Sequence, residues 1–420
     1  MSDPPEVLVI GGGVIGCWTA WHLQQIGGVR VTLVDRGAVG SSASWANCGY
    51  ICPSHVHPLC GPGAVREALA KLIRFNPAFS IAPRWDPSLW KWLIAFARHC
   101  TAADFDRGSQ ARHALLASSM DLYRKLAQRH AERLRWQQRG LLLVHRSAAN
   151  WNAYRSKADE LREQFGLEVQ RLDGAQLRKL EPALRENLAG GWYFPGDAHL
   201  SASDLTRTLM EEIVKAGGVV RENCEITQVH QRAGAISAVT TAAGESLSAE
   251  RFVFATGAEA ARFAPALGCR IPVIPGKGYS ITMQTPAGAP KTPMIFEQDH
   301  VAVTPLGESF RIGSTMQLAG FSRTLPRRRI DCLKKSAREH LSTPLPQQPG
   351  SSWYGWRPMT PDDLPCIDRA PGAENAWIVT GNGMIGMATG AASGQLAAEL
   401  VLDRIPHIDP RPYRLSRFGG

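Results

Sequence analysis

The sequence predicts an α/β chain of two lobes, one Rossmann-like on a parallel sheet and one mixed α/β on an antiparallel sheet. Three observations carry that reading. The chain opens with an apolar strand, Val7-Leu8-Val9-Ile10, and a glycine-rich turn, Gly11-Gly12-Gly13-Val14-Ile15-Gly16. A second apolar run, Val31-Thr32-Leu33-Val34, then ends on Asp35. A similar strand and turn return near the far end, where Trp377-Ile378-Val379-Thr380 enters Gly381-Asn382-Gly383-Met384-Ile385-Gly386 and a small-residue helix through Leu402. Between them, from Ile271 to Thr285 and from Met294 to Gln317, β-rich runs are separated by Pro and Gly.

Each element follows from local pattern. Residues 6–36 form the first βαβ unit. Small residues from Gly37 to Ser44 make a loop that leads into Trp45-Ala46-Asn47-Cys48-Gly49-Tyr50. Proline and aromatic residues from 55 to 100 predict an irregular excursion. Leu115, Leu116, Met120, Leu122 and Leu126 sit near helical spacing within a helix over 108–135. Leu141 to His145 reads as a buried strand; helices follow over Trp151–Phe165 and from Asp173. Ser203-Asp204 can cap a helix to Lys215, with Leu205, Leu209 and Ile213 on its inner face. Two short β segments span Val219 to His230. Arg251 to Ala255 is a strand closing on Thr256-Gly257, which completes a doubly wound domain. Val301–Thr304 and Phe310–Gly313 can pair as a hairpin, and residues 326–342 read as a helix. The expected division places 1–60, 197–265 and 352–420 in a nucleotide-binding domain, with 61–196 and 266–351 in a substrate domain.

Composition bounds the partners. A chain of 420 residues exceeds one small core, and 44% hydrophobic with 20% charged residues is ordinary for a soluble globular protein. No run of about 18 uninterrupted apolar residues exists, so no spanning helix is expected. The N-terminus lacks a basic flank before its first strand, which predicts a cytoplasmic chain without a cleaved secretory signal. Nine cysteines include no CxxC pair. Cys48, Cys52 and Cys60 lie near His55 and His57, but at no standard zinc spacing, so no metal is assigned. The net charge of +10 is spread along the chain apart from Arg327–Arg329 and Lys334-Lys335. No nucleic-acid module accompanies it, so a solvated basic surface is expected and nucleic acid is not.

The opening unit binds a dinucleotide. Gly11 allows the tight turn, Gly13 lets backbone approach a pyrophosphate, and Gly16 lets helix pack on strand. Helix N–H groups then face the phosphates, and Asp35 lies where it would accept ribose hydroxyls. Val14, Ile15 and Arg36 belong to the same cradle. Three further elements select FAD over NAD. Thr256-Gly257 ends a strand without a blocking side chain. Gly381 to Gly386 supplies a late helix N-terminus. Ser42 to Gly49 places hydroxyl and amide groups just past the ribose acid.

These residues resemble the D-amino-acid dehydrogenases within the glycine oxidase, D-amino-acid oxidase and sarcosine oxidase group. The resemblance runs nearly end to end. It is most specific at Ser44–Gly49, at Ile271-Pro272-Val273 with Lys277-Gly278-Tyr279-Ser280, at Gly355-Trp356-Arg357-Pro358-Met359-Thr360-Pro361-Asp362, and at Gly381–Gly386 with Ser393-Gly394-Gln395-Leu396. It implies an FAD-binding fold of the D-amino-acid oxidase type, with Ser42, Ser44, Asn47 and Gly49 along the flavin and Val229 in the same site. It also implies that Gly381, Gly383, Met384, Ile385 and Gly386 face the isoalloxazine ring. Relatives with covalent flavin carry a cysteine near Arg357-Pro358-Met359; this chain has none there, which implies non-covalent FAD. A histidine of the D-alanine-type enzymes is replaced by Asn382, and Gly196-Asp197-Ala198-His199 looks more similar to relatives acting on hydroxyproline or other cyclic and N-substituted amino acids.

Oxidising an amine at Cα requires a held α-carboxylate, an aimed Cα–H and a neutral amine. Arg357 is the carboxylate clamp candidate, because guanidinium geometry suits a bidentate carboxylate. Tyr279 and Tyr50 are candidate hydrogen-bonding groups, with a core tyrosine as the alternative for Tyr279. Arg311, His199 and Lys277 are weaker candidates. Residues 85–100 carry Trp90, Trp92, Leu93, Ile94 and Phe96, and two readings stay open for them: a membrane or partner contact, and a domain-packing helix.

The resulting expectation is FAD-dependent oxidation of a D-amino or cyclic D-imino acid, of the D-hydroxyproline, D-proline or D-alanine class. Electrons would pass to a quinone or a partner subunit, with peripheral contact at the inner face of the plasma membrane or a hetero-oligomer. The alternatives are an oxygen-using oxidase of the glycine or sarcosine type, a flavin-binding subunit of a larger dehydrogenase, and an NAD-linked enzyme.

Overall fold

The computed structural model describes residues 4–73 and 79–419. Strand β1 (Glu6–Ile10), helix α1 (Val14–Ile26) and strand β2 (Arg30–Val34) form the opening βαβ unit. β1 lies at the centre of a six-stranded sheet. In order, its strands are Cys366–Arg369, Ala376–Thr380, Arg251–Phe254, β1, β2 and Val219–Arg221. All neighbours are parallel except the first pair.

Alternation along these strands decides what covers each face. Val7, Val9, Val31, Leu33, Val253 and Val379 share one core with α1, helix Ala202–Lys215 and helix Gly386–Val401. Leu8, Ile10, Val34, Phe252, Phe254 and Ile378 share the other with Ile226, Ile236 and Val239. Those last residues belong to an antiparallel three-stranded sheet, Ile226–Arg232, Ala235–Thr241 and Ser246–Leu247. The lobe is therefore not doubly wound: helices cover one face and a β-meander the other. The meander is where Val229 sits, paired with Val239.

The second lobe is a nine-stranded, mostly antiparallel sheet. Strands Ser351–Met359, Ile274–Gln284, Ser309–Leu318, Val301–Leu306 and Met294–Phe296 run in that order, followed by Leu141–His145, Gly190–Phe194 and Gln170–Asp173, with Phe79–Ile81 against Ser309–Leu318. Strand Ser351–Met359 pairs in this sheet, although the expected boundary at 352 gave it to the nucleotide-binding lobe. The stretch 55–100 is also more regular than expected, with helices Ala64–Ile73 and Pro87–His99. Asp86 caps the latter through the amides of Ser88 and Leu89, and Pro87 fits its first turn. Ser201, two residues before the expected Ser203, caps helix Ala202–Lys215. Among the described residues no helix is long and apolar enough to cross a membrane.

α1 and helix Gly386–Val401 touch at backbone distance because the latter is lined with small residues. A Cβ placed on Gly394 would lie 2.6 Å from Trp18 Cβ and 2.8 Å from the Thr19 nitrogen. Overpacking of this kind costs typically about 1–3 kcal/mol. Gly394→Ala is therefore expected to lower the thermal unfolding midpoint, and an unchanged midpoint would show that the two helices do not meet this closely.

Candidate active site

The glycine turn is shaped by clashes it avoids. Gly11 has φ +109°, and a Cβ there would stand 2.5 Å from the Ala255 carbonyl oxygen; one on Gly16 would stand 1.8 Å from that of Gly11. Loop 37–44 folds back over the turn. The Gly12 amide donates to Asp35 Oδ2 at 2.7 Å, Gly40 N–H to the Gly12 carbonyl at 2.8 Å, and Val14 N–H to Ser44 Oγ at 3.0 Å. Asp35 Oδ1 also accepts from Gly37 N–H at 2.8 Å. Arg36 reaches across to Glu259, next to Gly257.

The cradle suits an anionic, ribose-bearing ligand. No acidic side chain stands in the first turn of α1 or of helix Gly386–Val401. Two helix N-termini thus keep their positive partial charge for a ligand. Thr256 Oγ1 is buried without a hydrogen-bond partner among the described residues. Thr380 Oγ1 donates to the Gly257 carbonyl at 2.7 Å, tying the third strand end to the last turn. Within that turn Asn382 donates to Thr389 and Ser393, while its Oδ1 is buried and unpartnered among the described residues.

The large sheet approaches this cradle through glycine. Gly276, Gly278, Gly313 and Gly355 share one sheet face with Arg357. A Cβ on Gly278 would stand 2.4 Å from Arg357 Nη2; one on Gly276 would meet Met359, and one on Gly313 would meet Cys48 Sγ at 2.8 Å. The guanidinium therefore lies flat over Gly278. An isolated bridge between Met359 and Asn382 brings this strand end against the last turn. Arg357 Nη1 donates to the Thr315 carbonyl at 2.8 Å. That carbonyl is turned by a bulge, in which Ser314 has φ +92° and Thr315 φ +48°. A β-branched residue in that region is a conformational outlier, of a kind that clusters at functional sites.

Sequence-predicted residues divide over this geometry. Tyr279 and Lys277 point to the opposite sheet face: the Tyr279 hydroxyl donates to Gln317 Oε1 at 2.6 Å, and Lys277 Nζ lies 4.0 Å over the Tyr354 ring. Lys277 donates to the carbonyls of Ser322 and Thr324, and burial lowers its pKa to about 8. Tyr50 stays on the near side, but its hydroxyl is held 2.8 Å from the carbonyls of Met294 and Val303. Arg311 spends Nη1 on the Asn47 carbonyl at 2.6 Å and Nε on Thr282. It is a clamp on the loop. The glycine-paved face and the bulge escaped the sequence reading. Gly276 and Gly278 were visible at period two, whereas nothing local marks Ser314-Thr315. Also unforeseen is an apolar wall of Leu59, Met316, Met359 and Met384 with Leu89 and Trp92 from helix Pro87–His99.

The cysteine–histidine stretch folds elsewhere. Cys52 and His55 meet Asp197, their potential ligand atoms within 4.8 Å of one another. Asp197 already accepts from Ser54 N–H at 3.2 Å and Ser54 Oγ at 2.5 Å, which makes this a satisfied polar network. Burial raises the Asp197 pKa to about 7 despite those bonds. Its folded pKa thus exceeds the ordinary carboxyl value near 4. Stability from the protonated carboxyl is fully present below about pH 4 and is lost as pH rises through about 7, on the order of 1.4 kcal/mol per pH unit at most. Asp197→Asn is expected to flatten the dependence of unfolding free energy on pH between 4 and 7; an unaltered slope would place the titration elsewhere.

Comparison with known proteins shows the family and the fold. The profile of the FAD dependent oxidoreductase family, DAO, matches residues 6–400. The chain is 31% identical to the D-amino acid dehydrogenase of Xanthobacter autotrophicus over 420 residues, covering 99% of each chain. It is 31% identical to that of Methylobacterium nodulans over 409 residues, covering 96% of each. Among solved structures it resembles glycine oxidase from Geobacillus kaustophilus, with a TM-score of 0.76 at 23% identity, covering 98% of this chain and 99% of that one. The double helix N-terminus, the orphan Thr256 hydroxyl and the glycine cradle fit FAD as the cofactor. The chain belongs to the DAO family of FAD dependent oxidoreductases.

Proposed function

We propose that this protein oxidises a D-amino acid or a cyclic D-imino acid, of the D-hydroxyproline, D-proline or D-alanine class, with Arg357 holding the α-carboxylate. The observation that carries the proposal is Arg357 itself, laid over Gly278 beside the last glycine turn with one donor used on Thr315. Its remaining donors match a bidentate carboxylate. Arg311 is committed to Asn47 and Thr282, so it fixes the loop rather than the substrate. Leu59, Met316, Met359 and Met384 form an apolar wall that fits an alkyl chain or a saturated ring. The position of Tyr279 behind the sheet, bonded to Gln317, weighs against that role for it.

FAD, when bound, supplies a two-electron acceptor for the hydrogen at Cα. The cofactor-binding set proposed is the first glycine turn with Asp35, the hydroxyl and amide groups of Ser42 to Gly49, Thr256-Gly257, and Gly381 to Gly386. No cysteine stands at Arg357–Met359, which supports a non-covalent flavin. The dehydrogenase names of the relatives support an acceptor other than oxygen, either a quinone or a partner subunit.

The test is anaerobic mixing of the yellow protein with D- and L-amino acids, including cis-hydroxy-D-proline. Bleaching by D-substrates alone is expected; bleaching by none of them would overturn the reading. Truncating one partner of a buried charge pair costs about 2–5 kcal/mol. Arg357→Ala is accordingly expected to weaken substrate binding roughly thirtyfold or more with the flavin retained, and an unchanged affinity would remove the clamp.

A further inference from the structure

Helix Pro87–His99 has two faces with different fates. Inward, Leu89 and Trp92 are buried, and the Trp92 indole donates to the Met359 carbonyl at 2.9 Å, two residues from Arg357. Outward, Pro87, Trp90, Lys91, Ile94, Ala97 and Arg98 are all exposed at three- and four-residue spacing, so they form a single stripe. Trp90 is 54% exposed and Ile94 55%, and Trp85, just before the helix, is 90% exposed. Single exposed apolar residues are ordinary, but a stripe that carries tryptophan and isoleucine asks for a covering surface.

Charge says which surface. Lys91 and Arg98 stand on the stripe and no acidic residue does. Asp86, just before the helix, is turned to its amides and to Arg84, and Asp104, from the following helix, faces His99 and Arg107. A symmetric contact with a second copy would set basic residues against basic residues. An anionic lipid surface instead offers both halves of the match: a tryptophan ring fits the acyl boundary, and lysine and arginine reach headgroup phosphates. The overall charge of +10 acts in the same direction.

We propose that this stripe, Trp90 and Ile94 flanked by Lys91 and Arg98, with the exposed Trp85 just before the helix, seats the protein peripherally on an anionic bilayer. The proposal rests on the quinone reading above for its purpose, whereas lipid binding is measurable without any turnover. Docking there would hold one wall of the active site next to the lipid, through the Trp92–Met359 hydrogen bond.

The experiment is co-sedimentation of the full-length yellow protein with vesicles of phosphatidylcholine alone or mixed with phosphatidylglycerol. Binding only to the anionic vesicles, reversed by salt and accompanied by a blue shift of tryptophan emission, is the expected result. Each basic residue near such a surface contributes about 1 kcal/mol, roughly fivefold in partitioning. Lys91→Glu with Arg98→Glu should therefore weaken binding at least about 25-fold, and Trp90→Ser with Ile94→Ser should abolish it. Both pairs are exposed, so circular dichroism and amino-acid bleaching in solution should match the parent protein. Failure of the parent to sediment with anionic vesicles overturns the proposal, as does undiminished binding by both variants. A change in oligomer size in the variants with vesicle binding intact assigns the stripe to a protein contact and overturns it too. Protein that is bleached but ignores vesicles sinks the docking alone; protein that binds vesicles but is never bleached sinks the proposed amino-acid oxidation alone.

Discussion

Alternation along the strand Ile274–Gln284 is the constraint on which the rest of the molecule depends. Even positions Gly276, Gly278 and Ser280 face the nucleotide-binding lobe, and odd positions Lys277 and Tyr279 face away. Glycine on the near face lets the Arg357 guanidinium and the loop around Cys48 lie against the sheet without a side chain between them. Four side chains then fasten that loop. Ser280 Oγ donates to the Ala46 carbonyl, Arg311 to that of Asn47 and Thr304 to that of Cys48, while Tyr50 reaches two carbonyls of the sheet. At about 0.5–1.5 kcal/mol net for a typical bond, these contacts matter more for register than for total stability.

Fixed positive character surrounds the space between the lobes. It comes from two helix N-termini with no acid in their first turns, from Arg357, and from the buried Arg311. Arginine suits this position because its charge persists under burial, which pulls the pKa of Arg357 down only from a very high start. Lysine was placed behind the sheet. Lys277 keeps its charge there by donating hydrogen bonds to the carbonyls of Ser322 and Thr324, which orders the segment beside Trp356 and Phe321.

The amphipathic helix Pro87–His99 shows why two sequence readings of one segment need not exclude each other. Its inner face packs Leu89 and Trp92 against Met359 and Ile274, as a domain-packing helix does. Its outer face still presents tryptophan, isoleucine and basic residues to solvent. A pattern of apolar residues spread over more than half of a helix turn cannot specify which of them is covered.

What the sequence determined by itself was a set of features fixed by neighbours within a few residues. The glycine turns, Asp35 at the end of β2, the hairpin after Val301 and the last strand with its turn all reflect local backbone geometry. Those local signals sufficed for the α/β class and for FAD. Tertiary structure decided the features that turn on parity and packing. A one-residue shift reverses a strand's faces, so Arg357, the clamp candidate, and Tyr279, a candidate hydrogen-bonding group, fell on opposite sides of the sheet. The bulge at Ser314-Thr315, the β-meander covering one face of the parallel sheet, and the pairing of Ser351–Met359 with the large sheet arise from contacts between distant segments. Such contacts leave no mark on the short-range pattern of either partner.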